Sequence, residues 1–304
     1  MLQMSLSSAG NVISAVRAMS YFSESAEYTD MAQGIAFYQL VKDVEEHFDE
    51  KKDALCGMLK EVAGEIFCKE NLMFSVGAEP QGMELLEQEI EGLKKVLHRR
   101  KPRTEQKQAA LEQKNEGFLD ASQVQYVSRA GNFCKEGYAY TGVLRILKVL
   151  LNYDYLWLNV RVKGGAYGCM SQFSRNGDSY FTSYRDPNLG RTNEVYEGIP
   201  EYLEQFTVEE KEMAKYIIGT FSTVDAPLTP AAKTGRSATA YLTGVTDGML
   251  QKERQEILNA TQEDIRSLSG IVRAILKEDA LCVIGNEEKV TEEKELFREL
   301  KNLY

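Results

Sequence analysis

The hydrophobic pattern of the chain changes period several times, and each change marks an element. Over the first hundred residues the period is helical. "NVISAVRAMSYFS" carries apolar residues at helical spacing, and "GIAFYQLVKDVEEHF" and "EKKDALCGMLKEVAGEIF" follow as amphipathic helices. "NLMFSVGAE" is short, apolar, rich in strand formers and closed by glycine, so it predicts a strand. "GMELLEQEIEGLKKVLHRR" returns to helix, with acids early and bases late as the helix dipole favours. Residues 99–115, "RRKPRTEQKQAALEQKN", are charged, polar and broken by proline, and read as a solvated linker.

Beyond the linker, "GFLDASQVQYVSRAGNF" alternates and predicts one or two strands. "TGVLRILKVLLNYDYLWLNVR" predicts one long helix. Its polar residues Arg145, Lys148, Asn152 and Asn159 form a narrow stripe, so most of its circumference should be buried. A hairpin follows, "YGCMSQFS" in and "DSYFTSY" out, around Asn176-Gly177, the pair a type I′ turn favours. Alternation sets Tyr180, Thr182 and Tyr184 on one face and Phe181 and Ser183 on the other. "RDPN" has turn composition. Helices then fill most of the remainder, with Thr261 and Asp264 spaced as a capping box. "ALCVIGNEE" predicts a strand, and "EEKELFRELKNLY" a closing helix.

Two of these segments echo each other. "KENLMFSVG" (Lys69 to Gly77) and "KEDALCVIG" (Lys277 to Gly285) each follow an amphipathic helix and lead into an acidic one. A duplicated unit accounts for the shared order. On that expectation residues 116–304 are a complete copy. Residues 1–98 are the C-terminal part of a preceding copy whose strands lie before residue 1, so the chain is a fragment.

Composition narrows the function classes. The chain has 304 residues, 43% apolar and 27% charged, which suits a soluble globular protein. A net charge of -10 argues against a nucleic-acid partner. No apolar run is long enough to cross a membrane, and "MLQMSLSSAG" is not a secretory signal. Cys56, Cys68, Cys134, Cys169 and Cys282 never form a C-x-x-C pair. They read as reduced, buried thiols in a cytoplasmic compartment. The only histidines, His47 and His98, lie in what read as exposed helix ends. No H-E-x-x-H or H-x-x-E-H helix exists, so no metal site is expected on this chain.

Candidate chemistry concentrates in "VRVKGGAYG". It is not a phosphate loop, because it runs from helix into strand and offers no helix N-terminus to an anion. Gly164-Gly165 break the helix and turn the chain sharply. Arg161 on the last helical turn and Tyr167 at the first strand residue can then project from one corner. Such a pair can donate to a carbonyl oxygen or a developing oxyanion. Equally, Arg161 can cap the helix C-terminus and Tyr167 can pack.

"RVKGGAYG", "NGDSYFTSYRDPN" and "TNEVYEGIPEYL" resemble the last domain of the pitrilysin or insulinase zinc peptidases, within the presequence-protease branch. "AVRAMSYFSESAEYTDMAQGIAFYQLVKDVEEHFDEKK" is similar to the end of the third domain in that branch. The resemblance implies an α+β fold, a two-layer sheet-and-helix domain of the insulinase/processing-peptidase type. It implies four related domains in two halves that close around a peptide. It puts zinc on the first domain of the full-length enzyme and none on this chain. It assigns Arg161 and Tyr167 to the reaction: Tyr167 would hydrogen-bond the scissile carbonyl as it becomes an oxyanion, and Arg161 would orient the substrate. Gly164 and Gly165 are the substrate-binding positions beside them. The partners implied are the N-terminal half of the same polypeptide and peptide substrates, with no nucleic acid and no membrane. The chain alone should be inactive, and its uncovered sheet edge should drive self-association. Two other readings stand beside this one: a non-catalytic subunit that pairs with a separate zinc-bearing chain, and a free-standing peptide-binding module.

Overall fold

The computed structural model describes residues 6, 8–98 and 111–304. Most of the expected 99–115 linker therefore lies outside the described residues, and 111–115 are irregular. Packing divides the chain into two compact units. The first takes Met1–Leu40, Ala109–Asp225 and Gln251–Tyr304; the second takes Val41–Gln108 and Ala226–Leu250. This grouping differs from the expected division into 1–98 and 116–304, because residues before the linker pack onto the sheet that follows it.

The first unit is built on one six-stranded sheet: β1 Glu116–Asp120, β2 Tyr126–Asn132, β3 Gly168–Phe173, β4 Asp178–Tyr184, β5 Ala280–Asn286 and β6 Glu299–Asn302. Their order across the sheet is β3-β4-β2-β5-β1-β6. β1 runs parallel to β5 and β6, and the other pairings are antiparallel. The α+β expectation holds. β5 reads as a continuous apolar run because it is central and buried on both faces.

Side chains alternate between two cores. Val127, Phe181, Leu281 and Val283 face one, filled by the helix that begins at Val143 and by the Gly190–Glu197, Ile199–Glu204 and Ser269–Lys277 helices. Tyr126, Ala130, Tyr180, Cys282 and Ile284 face the other. That second face is covered by the Gly10–Ser20 helix, through Ile13, Ala18 and Tyr21. The two-layer domain thus gains a third layer. A chain of hydroxyls seats it: Ser14 Oγ to Ser128 Oγ at 2.7 Å, and Ser128 Oγ to Thr182 Oγ1 at 2.7 Å.

The layer is also held by charge. Glu116 is fully buried on β1. Arg17 donates to it twice, from Nε at 2.6 Å and Nη2 at 2.9 Å, and its Nη1 reaches Asp30 at 2.7 Å. Tyr21 Oη and Lys301 Nζ complete the shell at 3.1 and 2.7 Å. Burial alone would raise the Glu116 carboxyl. Arg17 and then Lys301 outweigh it and hold the group below its ordinary value of 4.5.

Several local expectations are corrected. The helix from Val143 is α-helical only to Leu150; Leu151–Tyr155 and Trp157–Val162 form wider π turns. Widening rotates the side-chain stripe. Tyr153, Trp157, Leu158 and Val162 are exposed, so only the α-helical turns are buried on most sides. The hairpin is not type I′. Gly177 alone has positive φ (91°), and its N–H donates to Ser174 O at 3.0 Å. Ser174 N donates to Asp178 O at 3.0 Å beyond the Phe173↔Ser179 pair, which leaves Arg175–Gly177 as a three-residue loop, a type I turn with a left-handed glycine after it.

The chain does not end in a helix either. A short helix Glu287–Glu292 gives way to β6, because the open edge of β1 offers backbone partners. Lys301 then meets Glu116, and Leu303 is buried. The Thr261–Asp264 capping box is formed. Of the five free thiols, Cys56 and Cys134 are exposed rather than buried.

In the second unit the strand expected in "NLMFSVGAE" is absent. Met73, Phe74 and Val76 are exposed, and a lone strand without a ladder has nothing to stabilise it. The Phe48–Ile66, Pro80–Val96 and Pro230–Thr243 helices bury no residue. No helix of the described residues is long and apolar enough to cross a membrane.

Arg17→Ala should destabilise the first unit by about 3–5 kcal/mol, since it strands two buried carboxylates; urea unfolding measures this. Glu116→Gln should flatten the acid limb of the stability–pH curve. The wild-type contribution is present above about 4.5 and is lost as pH falls through the lowered folded value.

Candidate functional site

The segment that changes direction between the long helix and β3 is where Arg161 and Tyr167 meet. The helix ends in a wide Schellman-like turn. Gly165 N donates to Arg161 O at 2.8 Å, and Ala166 N to Val160 O at 3.2 Å. The first bond spans four residues and the second six, each one residue wider than in the ordinary Schellman motif. Gly165 has φ of 85°, a conformation that glycine adopts without strain. Gly164 and Gly165 therefore shape the bend, and the carbonyl of Gly164 accepts from Asn188 Nδ2 at 2.6 Å.

Asn188 is itself fixed by Asp186. Asp186 Oδ1 accepts from Asn188 N at 2.9 Å, and Oδ2 accepts from Thr192 Oγ1 at 2.7 Å. Its backbone exchanges two hydrogen bonds of 2.8 Å with Gln125. Asp186 is fully buried, and burial raises its carboxyl against hydrogen bonds from Asn188, Thr192 and Ser183. "RDPN" is thus more than a turn. It carries a buried acceptor that locks the glycine bend from beneath.

On this base Tyr167 N–H is shared between the carbonyls of Tyr184 at 3.0 Å and Arg185 at 3.3 Å. The Tyr167 ring meets Tyr184 edge-on at 5.8 Å and is 67% exposed. The Arg161 guanidinium lies 3.9 Å from the centroid of the Trp157 ring and 5.8 Å from that of Tyr167. The two residues do project from one corner. Arg161 does not cap the helix end; it stacks. Neither the guanidinium nor the Tyr167 hydroxyl hydrogen-bonds another described residue. Both tips are therefore donors without an acceptor.

Cys169 sits behind the corner. Burial pushes its thiol up to about 11, against the lowering by the Arg161 charge, so it stays neutral and is no nucleophile. Among the described residues no group of three or more histidine, cysteine, aspartate or glutamate side chains could hold a metal ion. His47 meets Asp43 Oδ1 at 3.2 Å with half its side chain in solvent. His98 only forms a backbone bridge to Cys68. The described residues do not fit a zinc site.

The sequence pattern missed Asp186, Asn188 and Trp157. For Trp157 a signal existed: it lies four residues before Arg161, the spacing at which helical side chains meet.

The family model described as PreP C-terminal domain matches residues 115–287. Protein HypA of Clostridium perfringens is 39% identical over 294 residues, 97% of this chain and 30% of its own length. Presequence protease 1, chloroplastic/mitochondrial, of Arabidopsis thaliana is 26% identical, over 97% of this chain and 28% of its own length. Among solved structures, a peptidase M16 inactive domain from Pseudomonas fluorescens is 13% identical with a TM-score of 0.47, covering 66% of this chain and 50% of that one. The chain belongs to the PreP C-terminal domain family. It spans about 30% of the length of these curated relatives.

Asn188→Ala should speed hydrogen exchange at the Gly165 and Ala166 amides, because the bend loses its clamp on Gly164. Gly165→Ala should cost about 1 kcal/mol through backbone conformation alone. A Cβ there meets only Pro187 Cγ, at 3.4 Å.

Proposed function

We propose that this chain is the substrate-binding, metal-free part of a zinc metalloendopeptidase that degrades unfolded peptides in a closed chamber. Arg161 and Tyr167 are its contribution to the reaction. One observation carries the reading: two strong donors rise from one corner, and no acceptor among the described residues uses them. The Tyr167 O–H donates to the scissile carbonyl oxygen, and its bond strengthens as that oxygen gains charge. The Arg161 N–H edge holds the neighbouring peptide backbone in register. Zinc belongs to the other part of the full-length enzyme, which supplies the metal chemistry.

The N-terminal half of the same polypeptide is the partner we assign. The relatives that contain this stretch are more than three times its length. The second unit also exposes Met58, Leu59, Val62, Ile66, Phe67, Met73 and Phe74, a large apolar surface for a soluble protein. Five free thiols agree with a reducing, cytoplasmic setting.

In the full-length enzyme, Tyr167→Phe should lower kcat by roughly ten- to a thousandfold, the cost of one oxyanion donor. Arg161→Ala should lower kcat/KM similarly. Parental rates in both variants would remove these residues from the reaction. The 304-residue chain alone should show no peptidase activity and should self-associate in size-exclusion chromatography with light scattering. A monomer at all concentrations would count against the missing partner.

A further inference from the structure

Arg161 is held in an unusual way. Its guanidinium makes no ion pair and no side-chain hydrogen bond among the described residues. An arginine that is free in this sense ordinarily samples many rotamers. Here it is placed over the Trp157 ring at 3.9 Å, with the Tyr167 ring 5.8 Å away. Stacking contacts the π face of a guanidinium and leaves its in-plane N–H edge unused. A carboxylate partner would have fixed the side chain too, but would have occupied the donors that a substrate needs.

We propose that Trp157 is a positioning residue for Arg161, holding the guanidinium plane so that its N–H donors stay open to the peptide backbone. Trp157 is suited to this by its place in the chain. It starts the second π segment and lies one turn before Arg161. Its ring is 39% exposed, and the Arg161 guanidinium lies over it. The Tyr167 ring, which meets Tyr184 edge-on at 5.8 Å, is a second aromatic surface near the guanidinium. The cation is thus aimed by two aromatic surfaces and screened by neither.

The inference rests on the substrate role proposed for Arg161, and two measurements separate the two. The first is spectroscopic. Trp157 is the only tryptophan of the 304-residue chain, so its fluorescence reports this contact directly. Arg161→Ala should change the emission and increase quenching by acrylamide, because one indole face is uncovered. Unchanged emission and quenching would overturn the stacking. The second is a double-mutant cycle on kcat/KM in the full-length peptidase. Trp157→Leu should lower kcat/KM by roughly three- to thirtyfold. Trp157→Phe, which keeps an aromatic face, should stay within about threefold of the parent. In an Arg161→Ala background Trp157→Leu should add nothing further. An equal loss in both backgrounds would show that Trp157 acts independently and would overturn the proposal. If Arg161→Ala alone left kcat/KM unchanged, the substrate role of Arg161 would fail. The fluorescence result would still decide whether Trp157 holds it.

Discussion

A carboxylate cannot be taken out of water without partners that replace its hydration, and two carboxylates here have essentially no solvent contact. Glu116 draws its partners from widely separated stretches: Arg17 and Tyr21 from the N-terminal helix, and Lys301 from the C-terminal strand. Asp186 draws in Asn188, Thr192 and the backbone of Gln125. The first cluster makes the segments on both sides of the family-matched region part of the same fold. The second makes the corner that carries Arg161 and Tyr167. Removing one partner of such a group costs more than the pair contributes, so each cluster holds its surroundings to one arrangement.

The corner is tight below and open above. Backbone hydrogen bonds fix Gly165, Ala166 and Tyr167, and Asn188 closes on Gly164 from beneath. The side-chain tips of Arg161 and Tyr167 make no hydrogen bond to a described residue. Donors are most effective toward a developing charge when they need not reorganise. Stacking removes rotamer freedom from the arginine before any ligand arrives, without consuming its hydrogen-bonding capacity.

Much of this was legible in the sequence. The glycine pair, the Arg161–Tyr167 spacing, the hairpin and the alternation of Phe181 against Tyr180 and Tyr184 follow from local chemistry. The capping box at Thr261 does too. The failures are those in which tertiary context overrides local pattern. "NLMFSVG" has strand composition but no described strand to pair with, whereas the similar "ALCVIG" lies between β1 and β2 and becomes β5. "FRELKNLY" has helical composition, yet an open edge on β1 recruits it as a strand. Asp186 looked like a turn residue because burial cannot be read from a turn's composition. The π turns were invisible because their cause is not a residue type.

The exposed aromatic and aliphatic side chains near the corner fit the same logic. Tyr153, Trp157, Leu158, Val162 and Tyr167 would be a poor choice for a permanently hydrated surface. A ligand laid over the two donors, which no other described residue uses, would cover these side chains as well. Water leaves the apolar ring, the local dielectric falls, and each donated hydrogen bond gains strength. Apolar side chains beside open polar tips would thus tie the strength of an interaction to occupancy. A corner of this kind would interact weakly when solvated and more strongly when covered.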